Sequence, residues 1–535
     1  MRSLFLFLAL CLMGMYIPGS GGSGVALPYN LLLIGWSGLV LLTLTFIKKS
    51  HALRAERQPL VTIGCLLLLL PWLIQARGNP GVWGLLAALI LWLWLLLQSF
   101  GPQQKQWILS AIFVLAICQC AISIIQVFFP ALAVRWFEFD WLRNHGRPYG
   151  IFQQVNLLAS FLATGLGCGF LLLMREARRR YTSVLIAGLG LLAFCLTLSQ
   201  SRAGAIGAGS IVAILIVIQG WKSPRRIVIA IAAMAFCVAA GWYITRHVQI
   251  WVNGQPYLLA REYGTSTHER WHILTISWQM ILQKPWFGWG YGTFEYQFSR
   301  YVLAHPELPY TYSSIVTHPH NELIYAWFQG GITAVTGVMT LFFGWMVMVI
   351  RAMRRSRLAV GYTMLIVPLL VHLNLEYPFY QSFIHLALFI VLLRLGCAEM
   401  AQPETRAALY PSRVGYVVSG MALLAFSVTG LYANRQLTTL ERNGFSGFPV
   451  PAPWYFASQF ERADFDAMVA RLIRYNQSRD ESELDRFMQQ AQRWSLRHND
   501  KNVWLSMMMI ARYRGETEKA LQMQALYRRL FPLQQ

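Results

Sequence analysis

Apolar residues run along this chain in long unbroken blocks, near 4–17, 30–47, 60–76, 82–99, 107–128, 155–174, 183–199, 203–220, 227–245, 323–350, 359–375, 382–396 and 414–432. Most of these blocks are about as long as a tilted helix needs to cross a bilayer, and they lack the one-sided spacing of a soluble amphipathic helix. The pattern predicts an all-α, polytopic membrane protein with about 12–13 transmembrane helices. The first block is short and follows Arg2, as in a signal peptide, but with a dozen spans behind it the reading taken is an uncleaved first helix.

Composition and charge sharpen this picture. A hydrophobic content of 56% and a mean hydropathy of +0.44 exceed what a soluble core of this length requires. The net charge of +22 would suit a nucleic-acid binder, yet the cations gather in alternate short loops. They are Lys48, Lys49, Arg54 and Arg57, then Arg175 and Arg178 to Arg180, then Lys222, Arg225 and Arg226, then Arg351, Arg354, Arg355 and Arg357. That is the positive-inside bias with a cytosolic N-terminus, so nucleic acid is excluded as a partner and membrane lipid takes its place. The cysteines, Cys11, Cys65, Cys118, Cys195 and Cys237 among them, lie in or beside apolar blocks without a CxxC, and read as small core residues.

The same alternation places four segments on the outer face: 130–154, the tight turn at Arg202, the stretch from about 246 to 322, and everything after 433. In the long stretch, HERWHILTISWQMILQKP predicts a helix lying in the membrane interface, followed by the Gly/Trp-rich FGWGYG. Residues 1–432 thus form a membrane domain and 433–535 a soluble helical domain, with helices near 460–475, 482–497 and 502–530. Trp504, Gly515, Ala520 and Pro532 have the spacing of a tetratricopeptide helix pair. A single repeat cannot bury its own face, so a repeat-type platform and a small bundle packed on the membrane part both stand.

The candidate chemistry falls on those outer segments. In Thr317-His318-Pro319-His320-Asn321-Glu322 the proline predicts a helix start, which would put His320 in the first turn, where the dipole favours a neutral imidazole able to take a proton. One HxH offers at most two metal ligands, so metal is the weaker reading there. Arg202 in SQSRAGAIG, and Arg270 beside His268 and Glu269, are arginines that the positive-inside bias does not explain; guanidinium groups suit phosphate oxygens, although lipid headgroups or Glu269 would also satisfy them. Arg147, Gln154 and Asn156 in RPYGIFQQVN, and His372 with Glu376-Tyr377-Pro378, are polar groups at helix ends. Such groups face a cavity or glue helices together.

The order SRAG, then HERW…KPWFGWGYGTF, then HPHNELIYAWFQGGI resembles the O-antigen ligase and Wzy polymerase superfamily. The flanking RPYGIFQQVN and EYPFY, with a helical tail after the last span, resemble its protein O-oligosaccharyltransferase branch, the PglL-type pilin glycosylation enzymes. The likeness covers about residues 145 to 400, and QQVN stands where the branch has QPN, leaving that helix entry less defined. The resemblance implies a bacterial inner-membrane enzyme with a periplasmic active site. It would move a preassembled oligosaccharide from undecaprenyl pyrophosphate to Ser or Thr of a pilin-like protein, without cofactor or metal. It further implies His320 as the base with His318 as neighbour or substitute, Arg202 and Arg270 on the pyrophosphate, and Gln154 and Tyr377 as polar site residues. Asn156, Arg147, Asn321, Glu269 and His372 are the other candidates.

Four rivals stand beside this reading. Ligation to lipid A core and polymerisation of repeat units differ only in the acceptor. A metal-dependent mechanism would use Glu138 and Asp140 in FEFDW, which otherwise cap a loop helix. A transporter of lipid-linked glycans would show paired interrupted helices, and the sequence predicts none.

Overall fold

The computed structural model describes residues 24–44, 53–75, 80–175, 179–219, 224–259, 266–308, 315–401, 409–449 and 451–531. In chain order its first helices are α1 (Pro28–Leu44), α2 (Pro59–Gln75), α3 (Pro80–Leu96), α4 (Pro102–Phe128), α5 (Pro130–Phe137), α6 (Val155–Arg175), α7 (Arg179–Ser199), α8 (Arg202–Gln219) and α9 (Pro224–His247). There follow α10 (Ser266–Gln283), α11 (Phe294–Ala304), α12 (Glu322–Met353), α13 (Arg357–Met364), α14 (Val367–Leu373), α15 (Pro378–Gln381), α16 (Phe383–Gly396) and α17 (Leu409–Arg442). The last are α18 (Phe460–Ser478), α19 (Glu481–Trp494), α20 (Lys501–Tyr513) and α21 (Thr517–Leu530). The strands are few and short: β1 (Leu53–Ala55) pairs antiparallel with β4 (Glu399–Ala401), and β2 (Gln249–Val252) with β3 (Gln255–Leu258).

Among the described residues, seven helices are long and apolar enough to cross a membrane: α4, α6, α7, α8, α9, α12 and α17. Shorter apolar helices lie at Pro28–Thr43, Pro59–Ile74, Gly84–Leu96, Arg357–Leu373 and Phe383–Gly396. The protein is therefore an all-α polytopic membrane protein, and apart from the block at 4–17, which lies outside the described residues, each apolar block coincides with helix.

The chain divides into two compact units. One holds the described residues up to Val61, with 84–263 and 342–428; the other holds 62–83, 264–341 and 429–535. At the centre of the first is α6, whose residues from Leu157 to Leu173 are all buried. Small residues allow this. A Cβ on Gly165 would lie 2.3 Å from Ala116 Cβ, and one on Gly169 would lie 2.4 Å from the Phe113 ring, so glycine is what lets α4 come close. A buried cation ties this unit at α16, where Arg394 donates to Leu95 O at 2.8 Å, pairs with Glu399 at 2.8 Å and lies over the Phe100 ring.

In the second unit, α18 to α21 bury Met468, Leu484, Phe487, Val503 and Met507 together. They seat on α11 through Asn499, which donates to Glu295 O at 3.0 Å and Ser299 Oγ at 2.6 Å, and through Arg529, which donates to Leu303 O at 2.7 Å. The composition change at 433 falls inside α17, which continues to Arg442.

Three local expectations are corrected. The predicted span 359–375 is broken between α13 and α14, because Pro368 brings no N–H to continue the ladder and its ring crowds the preceding turn. The predicted helix 502–530 is two helices, α20 and α21, separated at Gly515 with φ +73°. Helix α12 is itself interrupted, with Gly331 at φ 62° and ψ −153°, so interrupted helices are present where the sequence predicted none. The helix predicted in HERWHILTISWQMILQKP is found as α10, and Pro532 of the repeat-like spacing lies outside the described residues.

Candidate active site

The break in α12 explains the Gly/Trp-rich segment. Residues 286–290 insert beside Gly331: Trp289 N–H donates to Phe328 O at 2.7 Å, Gly290 N–H to Gln329 O at 3.1 Å, and Ile332 N–H to Trp286 O at 3.1 Å. Carbonyls freed by the interruption are thus taken up by the loop, as burial demands. Indole groups fix it further, Trp289 donating to Met280 O at 2.8 Å and Trp327 to Pro285 O at 3.0 Å. Gly331 is obligatory, since a Cβ there would sit 2.1 Å from Trp286 O.

One turn before this anchored helix lie the two histidines. His320 is not in the first turn, as the proline suggested. Helix α12 begins at Glu322, Asn321 caps it by accepting from Ile324 N–H at 3.1 Å, and His320 stands before the cap in a left-handed conformation, φ 58°. Proline at 319 therefore precedes the helix instead of opening it, and the dipole argument reaches His320 only across the cap. Residues other than glycine hold φ > 0 at a cost, and such conformations cluster at functional sites. The His318 and His320 rings are 4.2 Å apart at 57°; His318 is buried and within 3.0 Å of Thr317 Oγ1 through Nδ1. In the same unit Arg270 and Glu269 occupy the first turns of α10, both half-buried, with His268 stacked edge-on to His272 at 4.4 Å.

The first unit gathers the other candidates. Two fully buried glutamines of α4 hold the RPYG turn: Gln126 Oε1 accepts from Tyr149 N–H and Gly150 N–H at 3.0 and 2.8 Å, and Gln119 Oε1 accepts from Ile151 N–H at 3.2 Å. Arg147 leaves that turn to donate to Ser199 O at 3.0 Å, at the C-terminal end of α7, where a cation is favoured. Asn156, in the first turn of α6, donates to Glu376 Oε1 at 3.2 Å and accepts from Ser201 Oγ at 2.8 Å. Ser201 in turn accepts from Gly204 N–H at 3.2 Å, capping α8 just before Arg202. Gln154 is half-buried, with no hydrogen-bond partner for its Oε1 among the described residues, and Tyr377 precedes α15 with its ring 6.1 Å from that of Tyr380.

His372 has a different setting. It is fully buried, its Nδ1 2.7 Å from Ser160 Oγ on α6, and Ser160 donates to Leu157 O. His385, not singled out in the sequence, is its neighbour at 6.4 Å; its Nε2 lies 2.8 Å from Leu157 O, so that nitrogen carries the proton. The sequence reading also passed over Ser201 as a residue in its own right and left Glu376 without a role. The signal for Glu376 was present, since it is a lone carboxylate between two apolar runs. The FEFDW acids behave as caps: Glu138 ends α5 in a left-handed conformation, and Asp140 Oδ1 accepts from Arg143 N–H at 3.0 Å.

Arg202 opens α8 with its side chain exposed, at the rim of a cavity of about 1180 Å³ between α7, α8 and α9. Fold and site together define a polytopic helical membrane protein whose polar candidates lie at helix ends and in the loops that feed them. The family described as O-antigen ligase matches residues 187–339, that described as protein glycosylation ligase matches 148–168, and that described as virulence factor membrane-bound polymerase, C-terminal, matches 361–535. Separate segments of the chain are thus similar to O-antigen ligases and to protein glycosylation ligases. The chain is 25% identical over 302 residues to a general O-oligosaccharyltransferase of Acinetobacter baylyi, covering 52% of this chain and 49% of that one. It is 27% identical over 148 residues to an O-antigen ligase of Salmonella typhimurium, covering 26% of this chain and 35% of that one. The chain thus spans about half the length of the first relative and about a third of the second.

Proposed function

We propose that this protein is a glycosyltransferase that moves a preassembled oligosaccharide from undecaprenyl pyrophosphate to a Ser or Thr hydroxyl of a pilin-like protein, at the periplasmic face of a bacterial inner membrane. The acceptor oxygen attacks the anomeric carbon, the bond from that carbon to the pyrophosphate oxygen breaks, and undecaprenyl pyrophosphate leaves. His320 takes the hydroxyl proton, with His318 beside it, while Arg202 and Arg270 carry the pyrophosphate charge as it develops. The observation that carries this reading is that Arg202, Arg270, His318 and His320 all fall within the 187–339 stretch matched by the O-antigen ligase family, with His320 in the left-handed conformation before the cap of α12. Gln154, Asn156 and Tyr377 are proposed to line the acceptor side. Purified wild type and His320→Ala, compared for glycan transfer at equal expression, test it: transfer is lost in the variant, and undiminished transfer removes His320 from the mechanism.

A second reading, ligation to lipid A core, is favoured by the Salmonella relative and differs only in acceptor. Transport is disfavoured by how the α12 break is used. Its freed groups are satisfied by residues 286–290, whereas a transporter's interrupted helices line a substrate cavity.

A further inference from the structure

Helix α10 has two unlike edges beside its packed face, where Ile273, Ile276, Met280 and Ile281 are buried. Of the exposed side chains, Trp271, Trp278 and Leu282 share one edge, and His268, Gln279 and Gln283 share the other. Thr275 lies where the two edges meet. A helix wholly in water has no use for the first edge, and one wholly in hydrocarbon does not tolerate the second. The loop that follows adds Trp286 and Phe287, which are 68% and 80% exposed.

Helix α12 sets the depth of that loop. Trp286 O accepts from Ile332 N–H at 3.1 Å, and the Trp278 ring meets that of Trp327 edge-on at 5.4 Å. From Gly331 to Ile350, α12 advances about 19 steps of 1.5 Å, roughly 29 Å, before Arg351. That matches a hydrocarbon core about 30 Å thick. Arg351 marks one boundary of that core, so the break at Gly331 falls at the other, the level at which membrane proteins concentrate tryptophan. Ile332 and Met339, two turns apart on the part of α12 within the core, are exposed as well. The aromatic loop therefore continues the apolar surface of a spanning helix.

We infer that Trp271, Trp278, Leu282, Trp286 and Phe287 form a lipid-docking surface that seats α10 and its loop at the boundary between acyl chains and head groups. The partner is the bilayer lipid itself, taken by apolar area and aromatic rings without selection of a head group. The inference extends the interfacial helix expected from sequence by naming the edge, its depth and the loop that shares it, and it is independent of the reaction proposed above. The stretch of α12 from Glu322 to Gly331, roughly 14 Å long, then stands outside the acyl-chain layer, with His320 beyond it.

The test uses the full chain in phosphatidylcholine nanodiscs and two photoreactive diazirine probes, one on the phosphatidylcholine acyl chain near its glycerol end and one dissolved in water. Tandem mass spectrometry locates the adducts. The ratio of lipid to water adducts is expected to be at least tenfold higher on Trp271, Leu282, Trp286 and Phe287 than on His268, Gln279 and Gln283 of the same helix. Met509 of α20, which is 69% exposed, is expected to behave as the polar edge does. Equal ratios on the two edges overturn the inference, as does water labelling of Phe287 at the level of Met509. A loop that neither probe reaches overturns it too, and crosslinks between copies would then show a self-contact. No substitution is made, so misfolding confounds none of these results, and glycan transfer, assayed separately, stands or falls on its own.

Discussion

His318 and His320 face each other with ring centroids 4.2 Å apart, yet their surroundings differ: His318 is buried against Thr317, while His320 is half-exposed on a left-handed backbone just before the cap of α12. On the proposed mechanism, His320 takes the proton and His318 positions it. His320→Ala is expected to lower kcat by about 10² to 10⁴, the usual worth of a general base. His318→Ala is expected to act less on kcat and to be partly rescued by His318→Gln, which keeps a hydrogen-bonding group near Thr317. Equal losses for both alanine variants, with no rescue, would contradict the division.

Gly331 is the hinge on which the 286–290 loop rests. Gly331→Ala brings a Cβ to 2.1 Å from Trp286 O and forces an alanine into a conformation that alone costs roughly 1–3 kcal/mol. Thermal unfolding in detergent is expected to shift downward, and hydrogen exchange to rise across 285–292. Unchanged exchange there would show that the loop is held by its indole contacts alone.

Arg394 is fully buried, and its pair with Glu399 joins α16 to the segment that follows it. Arg394→Ala leaves that carboxylate without the guanidinium and is expected to destabilise by about 3–5 kcal/mol. A variant as stable as wild type would mean that water or another cation replaces the guanidinium.

In α18, burial and then the neighbouring Glu441 carboxylate push the Asp466 carboxyl up to about 7. The folded state then binds a proton that the unfolded chain has already released, so stability falls as pH rises from the ordinary carboxylate range through about 7. Asp466→Asn is expected to flatten the dependence of the unfolding temperature between pH 5 and 8 and to raise it at pH 8. An unchanged pH profile in the variant would place the titration elsewhere.

The spans were legible because apolar runs of bilayer length have no economical alternative in water, and Gly515 and Pro368 show where that legibility stops. A glycine or proline inside a run signals an interruption only once something fills it, and the filler for α12 lies forty residues upstream in FGWGYG. His320 was found from its motif, but its backbone was misread because the proline before it starts no helix; Asn321 does the capping. Ser201 and Glu376 were missed as partners because the link from α8 through Asn156 to the turn before α15 joins residues 45 and 220 positions apart.

Incubating the purified chain with an undecaprenyl-pyrophosphate-linked oligosaccharide, a pilin-like protein and lipid A core in one reaction tests the central claim most directly. The account predicts the oligosaccharide mass on Ser or Thr of the protein, absent with His320→Ala. Glycan appearing only on lipid A core, or only as a lengthened lipid-linked polymer, would contradict it.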